Sequence, residues 1–304
     1  MNFALTEDQM STLAGLDQLI DAVAPPAPTE PCPFYHSANF DRAVAEAGYL
    51  DIAREDGFGA LDAALITERL ARLPCVIEAA ASSIVAPALA IPAGTRPLAL
   101  GATDLRHASR FLPVAQVLLI ERHDQALMIE VDQANVEPVE TLMAYPYGRL
   151  KTREPLKTRV VGDGATLRRR WRIALAVEAA GCMAAGVAQV VEYVKTRQAF
   201  GRPLGAFQAV QHRLAMAAEI AESTKWLAWR AAWSDSEDDA ALAAGFAQAR
   251  IASLTYDLHQ FCGAMGLTLE FPLHLWTYRL RALAGELGGA SAQGRAAAIA
   301  TWGS

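Results

Sequence analysis

Apolar and polar positions along this chain follow one period at its two ends and another in its middle. Residues 1–24 repeat at helical spacing, with Thr6 placed to cap an amphipathic helix ahead of Glu7 and Asp8. Pro25, Pro26, Pro28, Pro31 and Pro33 forbid regular structure through about residue 36. Helices are expected over 41–48, ending on a glycine, then over 61–73 and, as an apolar run, over 75–89. From Pro92 the apolar runs shorten to strand length, at 97–101, 114–121 and 126–132. Leu167, Arg168, Arg169 and Arg170 make a basic stretch before the chain returns to helix, and three or four long helices follow from about 171. Ser234 and Glu237 have the spacing of a capping box for the third of these. The pattern predicts a mostly α member of the α+β class: a helical domain over 1–92, a small β domain over 93–165 and a helical bundle over 166–304.

Composition changes this picture little. At 304 residues, with 53% hydrophobic and 20% charged residues, the chain can bury a sizeable core. A net charge of −6 argues against a nucleic-acid partner. Residues 173–191 are apolar for nineteen positions, which raises a membrane-spanning helix. Glu178, Gln189 and a wealth of Ala and Gly make the centre of a helical bundle the better reading, with no membrane. Cys32, Cys75, Cys182 and Cys262 show no metal-ligand spacing, so reduced thiols, no metal and a cytoplasmic location are expected. The six histidines show no ligand spacing either. Trp226, Trp229 and Trp233 read as a packing stripe.

The chemistry concentrates at 193–215. One long helix ends there, breaks at Gly201, Arg202 and Pro203, and a second starts near Ala206. A helix start presents free N–H groups and a positive dipole end, and Arg197 adds a forked donor, so the stretch suits a phosphate. Such turns also occur as plain connections between helices, and the stretch alone leaves both readings open.

The run from Tyr193 through Arg197, Gln198, Ala199, Phe200, Gly201, Arg202, Pro203 and Leu204 to Phe207, Gln208 and Gln211 resembles the signature turn of the acyl-CoA dehydrogenases. Gln260-Phe261-Cys262-Gly263-Ala264-Met265-Gly266, continuing through Glu270 to His274, resembles a second block, and Phe3 to Gln9 resembles the family's opening helix. The form around Glu270–His274, with 176–181 upstream, is similar to the short subunits of bacterial steroid and bile-acid catabolism. The resemblance implies an N-terminal helical domain, a middle β domain (here abbreviated) and a C-terminal four-helix bundle. It implies FAD as cofactor, lying across a subunit interface, with pyrophosphate and adenosine gripped by residues matching Arg197, Phe200, Gln208, Gln260 and Gly263. Ala199 and Ala264 stand where the family has a polar residue and a second glycine, which predicts a weaker grip. The runs that ordinarily hold the flavin ring are missing.

The implied reaction is α,β-desaturation of an acyl-CoA substrate, with a steroid-derived acyl group as the expected type. The family's two positions for a catalytic carboxylate fall on Leu287 or Gly288, next to an unmatched Glu286, and near Trp171. Glu178, two turns beyond Trp171 in an apolar helix, is the remaining candidate; it reads either as a partner for an arginine or as the base. Three assemblies are open. The chain is a subunit, in a heterotetramer, that completes the FAD site of a longer acyl-CoA dehydrogenase subunit; or it is a self-sufficient homomeric enzyme using Glu178; or it is a flavin-free, non-catalytic partner. An electron-transferring flavoprotein is the expected electron acceptor.

Overall fold

The computed structural model describes all residues except 1–3, 29, 31, 33, 106, 152–156 and 304, so Phe3, Pro31 and Pro33 lie outside the described residues. Helix α1 (Glu7–Val23) begins at Thr6, whose hydroxyl accepts the Gln9 N–H while the Gln9 side-chain amide oxygen Oε1 accepts the Thr6 N–H. Each exchange satisfies with a side chain a donor that the helix start leaves free. Helices α2 (Ala38–Glu46) and α3 (Ala60–Ala71) follow. The helix expected over 75–89 does not form as one. Val76 donates to the Tyr35 carbonyl and its own carbonyl accepts from Ser37, which holds the chain extended there. Helical turns begin only at Ala81, as a wide turn over Ala81–Val85 and a 3-10 turn over Ala86–Ala88. Glu78 sets that start: its carboxylate accepts the Ser82 N–H at 3.0 Å and the Leu98 N–H at 2.9 Å.

The strands are β1 (Leu98–Gly101), β2 (Ser109–Arg110), β3 (Val117–Arg122), β4 (Gln125–Glu130), β5 (Val136–Val139), β6 (Tyr147–Leu150) and β7 (Thr158–Asp163). One sheet runs β1-β3-β4-β7 and a second β2-β6-β5. Strand β1 pairs with β3 in parallel, and the other pairs in both sheets are antiparallel. Pro138 hides β5 from a reading by apolar runs, yet β5 is an edge strand paired only with β6, where a missing N–H is tolerated.

Asp163, the last residue of β7, accepts the Thr166 N–H at 2.7 Å and so caps α4 (Gly164–Thr196) with no linker between sheet and bundle. The basic stretch therefore lies inside the helix rather than before it. Arg168 reaches back to Glu121 on β3, while Arg169 and Arg170 hold Asp235. The hairpin strands β8 (Gln198–Ala199) and β9 (Arg202–Pro203) lead to α5 (Gln208–Ser234), α6 (Glu237–Cys262), α7 (His274–Gly285) and α8 (Gly289–Trp302). The expected capping box is absent: Ser234 ends α5, and Ser236 sits at the start of α6 without a side-chain bond to it. Trp226 and Trp229 do pack edge to face at 5.0 Å, under the Lys225 ammonium, while Trp233 is exposed and stands apart.

Helix α4 is long and apolar enough to cross a membrane, but 78% of its apolar window is buried within the fold. It packs against α3, α5, α6 and α7, so its all-round apolar surface is covered by protein. Gly181 permits the α3 contact: a Cβ there would stand 2.4 Å from the Glu68 carbonyl and 2.7 Å from the Ala71 Cβ. Backbone on one side and a helix on the other leave no room to relax. Gly181→Ala is expected to lower stability by about 1–3 kcal/mol, read as a lower midpoint in urea; an unchanged midpoint would show that α3 can withdraw.

Candidate functional site

Two places collect chemistry. At the hinge, Arg197 follows the last turn of α4, its N–H closing on the Tyr193 carbonyl at 2.9 Å. Phe200 and Gly201 turn the hairpin with φ of 51° and 78°, the left-handed pair that a two-residue hairpin favours. Leu204–Ala206 tighten into a 3-10 turn, which moves the start of α5 to Gln208, two residues beyond the expected position. Phe207 occupies the cap position and has no side-chain acceptor to offer. The Gln208 and Ala209 N–H groups accordingly find no acceptor among the described residues.

Arg197, Gln260 and Gly263 line one cleft of about 440 Å³ beside this helix start, together with Tyr193, Ala199 and Ala264. Arg197 is exposed and has no carboxylate partner among the described residues. Gly263 turns the chain out of α6 at φ 58° with open space where a Cβ would stand, so backbone can approach a bound group there. Phe200 and Gln208 are not in the cleft. Phe200 projects from the hairpin tip, 93% exposed, edge-on to Phe207, and Gln208 lies exposed beside His212. The structure thus brings three of the five matched residues together and leaves two facing outward.

The second place is a cavity of about 470 Å³ between β1, β2 and the α7–α8 connection, with Tyr147, Trp171, Arg110 and Glu286 in its wall. Arg110 is 6% exposed and bridges two carboxyl groups, donating to Glu178 at 2.7 Å and to Glu286 at 2.6 Å. Tyr145 donates its hydroxyl to the other Glu178 oxygen at 2.6 Å, and the Trp171 indole donates to the other Glu286 oxygen at 2.6 Å. Burial opposes the Arg110 charge, but the two carboxylates outweigh it and hold the guanidinium protonated. Burial and the Glu286 charge push the Tyr147 hydroxyl up to about 12. Glu178 is therefore the partner of an arginine, one supplied by a strand, with both oxygens engaged. Glu286 takes the cavity-facing place. Sequence reasoning missed Arg110, Tyr145, Tyr147 and Glu286 as a group, because a two-residue strand and a turn tyrosine carry no periodic signal.

With this geometry in hand, comparison with known proteins points to the bundle. Residues 169–297 match the model of the acyl-CoA dehydrogenase C-terminal domain. It is similar to acyl-CoA dehydrogenase FadE34 of Mycobacterium tuberculosis, 30% identical over 57% of this chain and 26% of that protein. It is also similar to acyl-CoA dehydrogenase IpdE2 of Mycolicibacterium smegmatis, 29% identical over 53% of this chain and 54% of that protein. The matched segments thus span about a quarter and about half of those relatives. The fold is similar, with 22% identity in each case, to that in the ChsE4-ChsE5 complex from Mycobacterium tuberculosis (TM-score 0.76, 97% of both chains) and in the Tcur3481-Tcur3483 steroid ACAD (TM-score 0.77, 96% of both chains). The mostly helical class with a small sheet region agrees with these neighbours.

Removing the cation from the second place leaves two buried carboxyl groups facing each other. Arg110→Met is expected to cost about 3–5 kcal/mol in urea unfolding, and adding Glu178→Gln should return part of it; a loss below 1 kcal/mol would mean the pair is not closed in solution. The thiols give a second check. Burial pushes Cys75 and Cys182 up to about 11 and Cys262 up to about 12, so all three stay protonated and unreactive at pH 8. Folded protein should react with a disulfide reagent at Cys32 at most, and at all four cysteines in denaturant.

Proposed function

We propose that this chain is a subunit of a flavin-dependent acyl-CoA dehydrogenase, and that its hinge holds the diphosphate of FAD contributed across a subunit contact. The observation that carries the reading is Arg197: an exposed guanidinium with no carboxylate partner among the described residues, beside two helix-start N–H groups with no acceptor among them and the open backbone of Gly263. These donors fit a diphosphate in charge and in kind. Ala199 and Ala264 in the same cleft remove one polar contact and add one methyl, which weakens the grip without closing it.

FAD held at this hinge would supply a two-electron acceptor for the β-hydrogen of an acyl thioester whose α-proton goes to a carboxylate. The ring and that carboxylate are assigned to a longer partner subunit. The runs that ordinarily hold the flavin ring are missing from the sequence, and both Glu178 oxygens already accept hydrogen bonds from Arg110 and Tyr145. A Glu178 that took a proton would give up the charge that holds Arg110 in place. The heteromeric ChsE4-ChsE5 neighbour supports a two-subunit assembly, and the neighbour described as a steroid ACAD supports a steroid-derived thioester. A cytoplasmic assembly that passes electrons to an electron-transferring flavoprotein completes the reading.

The test is flavin content per chain, measured by absorbance after co-production with the longer subunit. Flavin should be retained by the pair and absent from this chain alone. Arg197→Ala should weaken retention about 10- to 100-fold, the worth of one or two hydrogen bonds to a charged group. A yellow, active single chain would support a self-sufficient enzyme instead, and unchanged flavin in the Arg197→Ala pair would leave this chain a flavin-free partner.

A further inference from the structure

Helix α6 ends at Cys262 and gives way to a 3-10 turn over Gly263–Leu267. Gly263, Ala264 and Met265, the exposed residues that open this turn, also line the hinge cleft. Gly263 takes φ 58° with open space where a Cβ would stand, so its own backbone does not choose this conformation over others. A constraint from outside the turn has to fix it.

His259, one helical turn before Gly263, supplies that constraint. Its Nδ1 lies 2.6 Å from the Gly266 carbonyl, which can only accept, so Nδ1 carries the proton and donates. Its Nε2 lies 2.9 Å from the Thr277 hydroxyl on α7, which donates to it in the neutral ring. Burial lowers the basicity of the ring, and the charge of Arg281 acts in the same direction. That guanidinium is exposed on α7 and has no carboxylate partner among the described residues. The neutral ring with its hydrogen on Nδ1 therefore satisfies both neighbours. Tyr278 lies near-parallel to it at 6.5 Å and holds its plane.

Gly266 is the buried residue of the turn and is folded tightly onto the end of α6. A Cβ there would stand 2.8 Å from the Cys262 Cβ and 3.0 Å from the His259 carbonyl oxygen. The Thr268 hydroxyl also bonds the turn, but at the Met265 carbonyl, three residues back along the same stretch. His259 is thus the side chain that ties the turn to α6 and α7 together, among the described residues.

We infer that His259 is the positioning residue of the hinge: its Nδ1–H, donated to the Gly266 carbonyl, holds the turn after α6 in the conformation that keeps the Gly263 backbone open to a diphosphate. The inference rests on the hinge as a diphosphate site and adds the group that shapes it without touching the ligand.

Two substitutions separate this role from packing, because each keeps one side of the ring's hydrogen bonding. The Asn amide nitrogen, borne on the same branch carbon as Nδ1, still donates to Gly266; the Gln amide reaches the place of Nε2 and serves Thr277 instead. Both lose the ring and its contact with Tyr278, so both should lower the urea midpoint to a similar extent. Hydrogen exchange at the amides of 263–268 reads the turn, and calorimetric binding of inorganic pyrophosphate to the full chain reads the cleft. His259→Gln should speed exchange in the turn and weaken pyrophosphate about tenfold, the scale of one hydrogen bond, whereas His259→Asn should leave both within about twofold of wild type. Equal effects of the two variants on exchange or on pyrophosphate overturn the inference; with Arg197→Ala still weakening pyrophosphate, the hinge reading stands without it. A wild-type chain that binds no pyrophosphate, or an Arg197→Ala chain that binds it as wild type does, overturns both.

Discussion

One guanidinium ties the three parts of this fold to a single arrangement. Arg110 stands on a two-residue strand, too short to hold a position by its own ladder, yet it meets Glu178 from the middle of α4 and Glu286 from the α7–α8 connection. Each carboxyl group is also bonded from its far side, by Tyr145 and Trp171. A buried cation between two carboxyl groups has one low-energy placement, because any displacement leaves a charge without its partner in a medium that screens little. The strand, the central helix and the last connection are therefore fixed relative to one another by charge as well as by packing. Arg279 does comparable work elsewhere without any acid: it is 2% exposed and donates to the carbonyls of Ala71 and Leu73, which end α3. Those carbonyls are the groups a helix end leaves unpaired, so a guanidinium there joins α7 to α3.

The hinge follows the opposite rule. Where Arg110 is enclosed and doubly paired, Arg197 and Arg281 are exposed and have no carboxylate partner among the described residues, on a chain whose net charge is negative. A protein with an excess of carboxylates could readily have neutralised them. Around Arg197 the surroundings are equally unfinished: a helix start without a cap, a glycine with open space, and an exposed phenylalanine at the hairpin tip. Phe200 and Gln208 point away from the cleft into open space.

The parts legible in the sequence are those governed by local rules. Thr6 caps α1 because the hydroxyl and the Gln9 amide need nothing beyond one helical turn. Strands β1, β3 and β4 are apolar runs buried in one sheet, and the run over 173–191 is the covered face of α4. Arg197, Gln260 and Gly263 were found through resemblance, and the fold places them in one cleft although some sixty residues separate them. What stayed hidden depends on distant partners. The run over 75–89 has helical composition, but Tyr35 and Leu98 compete for its backbone and for Glu78. Strand β5 contains a proline that only edge placement excuses. Ser234 and Glu237 have capping-box spacing, yet Asp235 takes a left-handed conformation held by Arg169 and Arg170, and the helix starts two residues later, with Ser236 in the cap position.

Glu178 and Glu286 show why spacing alone could not settle the second place. From the sequence, Glu178 is an isolated acid in an apolar helix, and Glu286 is a neighbour of an expected position on a Gly-rich connection. In the fold they share one arginine, and their difference is exposure. Glu178 is enclosed by Arg110 and Tyr145, whereas Glu286 stands in the wall of the cavity beside Trp171. Any group entering that cavity meets Glu286 first and reaches Glu178 only by displacing Arg110. Chemistry at this place is thus limited to what Glu286 can do while still holding its arginine, and an acid held in that way is better suited to fixing the sheet against the bundle than to accepting a proton. That limit is independent of the hinge, where the cleft beside Arg197 is lined by no carboxylate among the described residues, while Glu178 and Glu286 at the other place serve the fold.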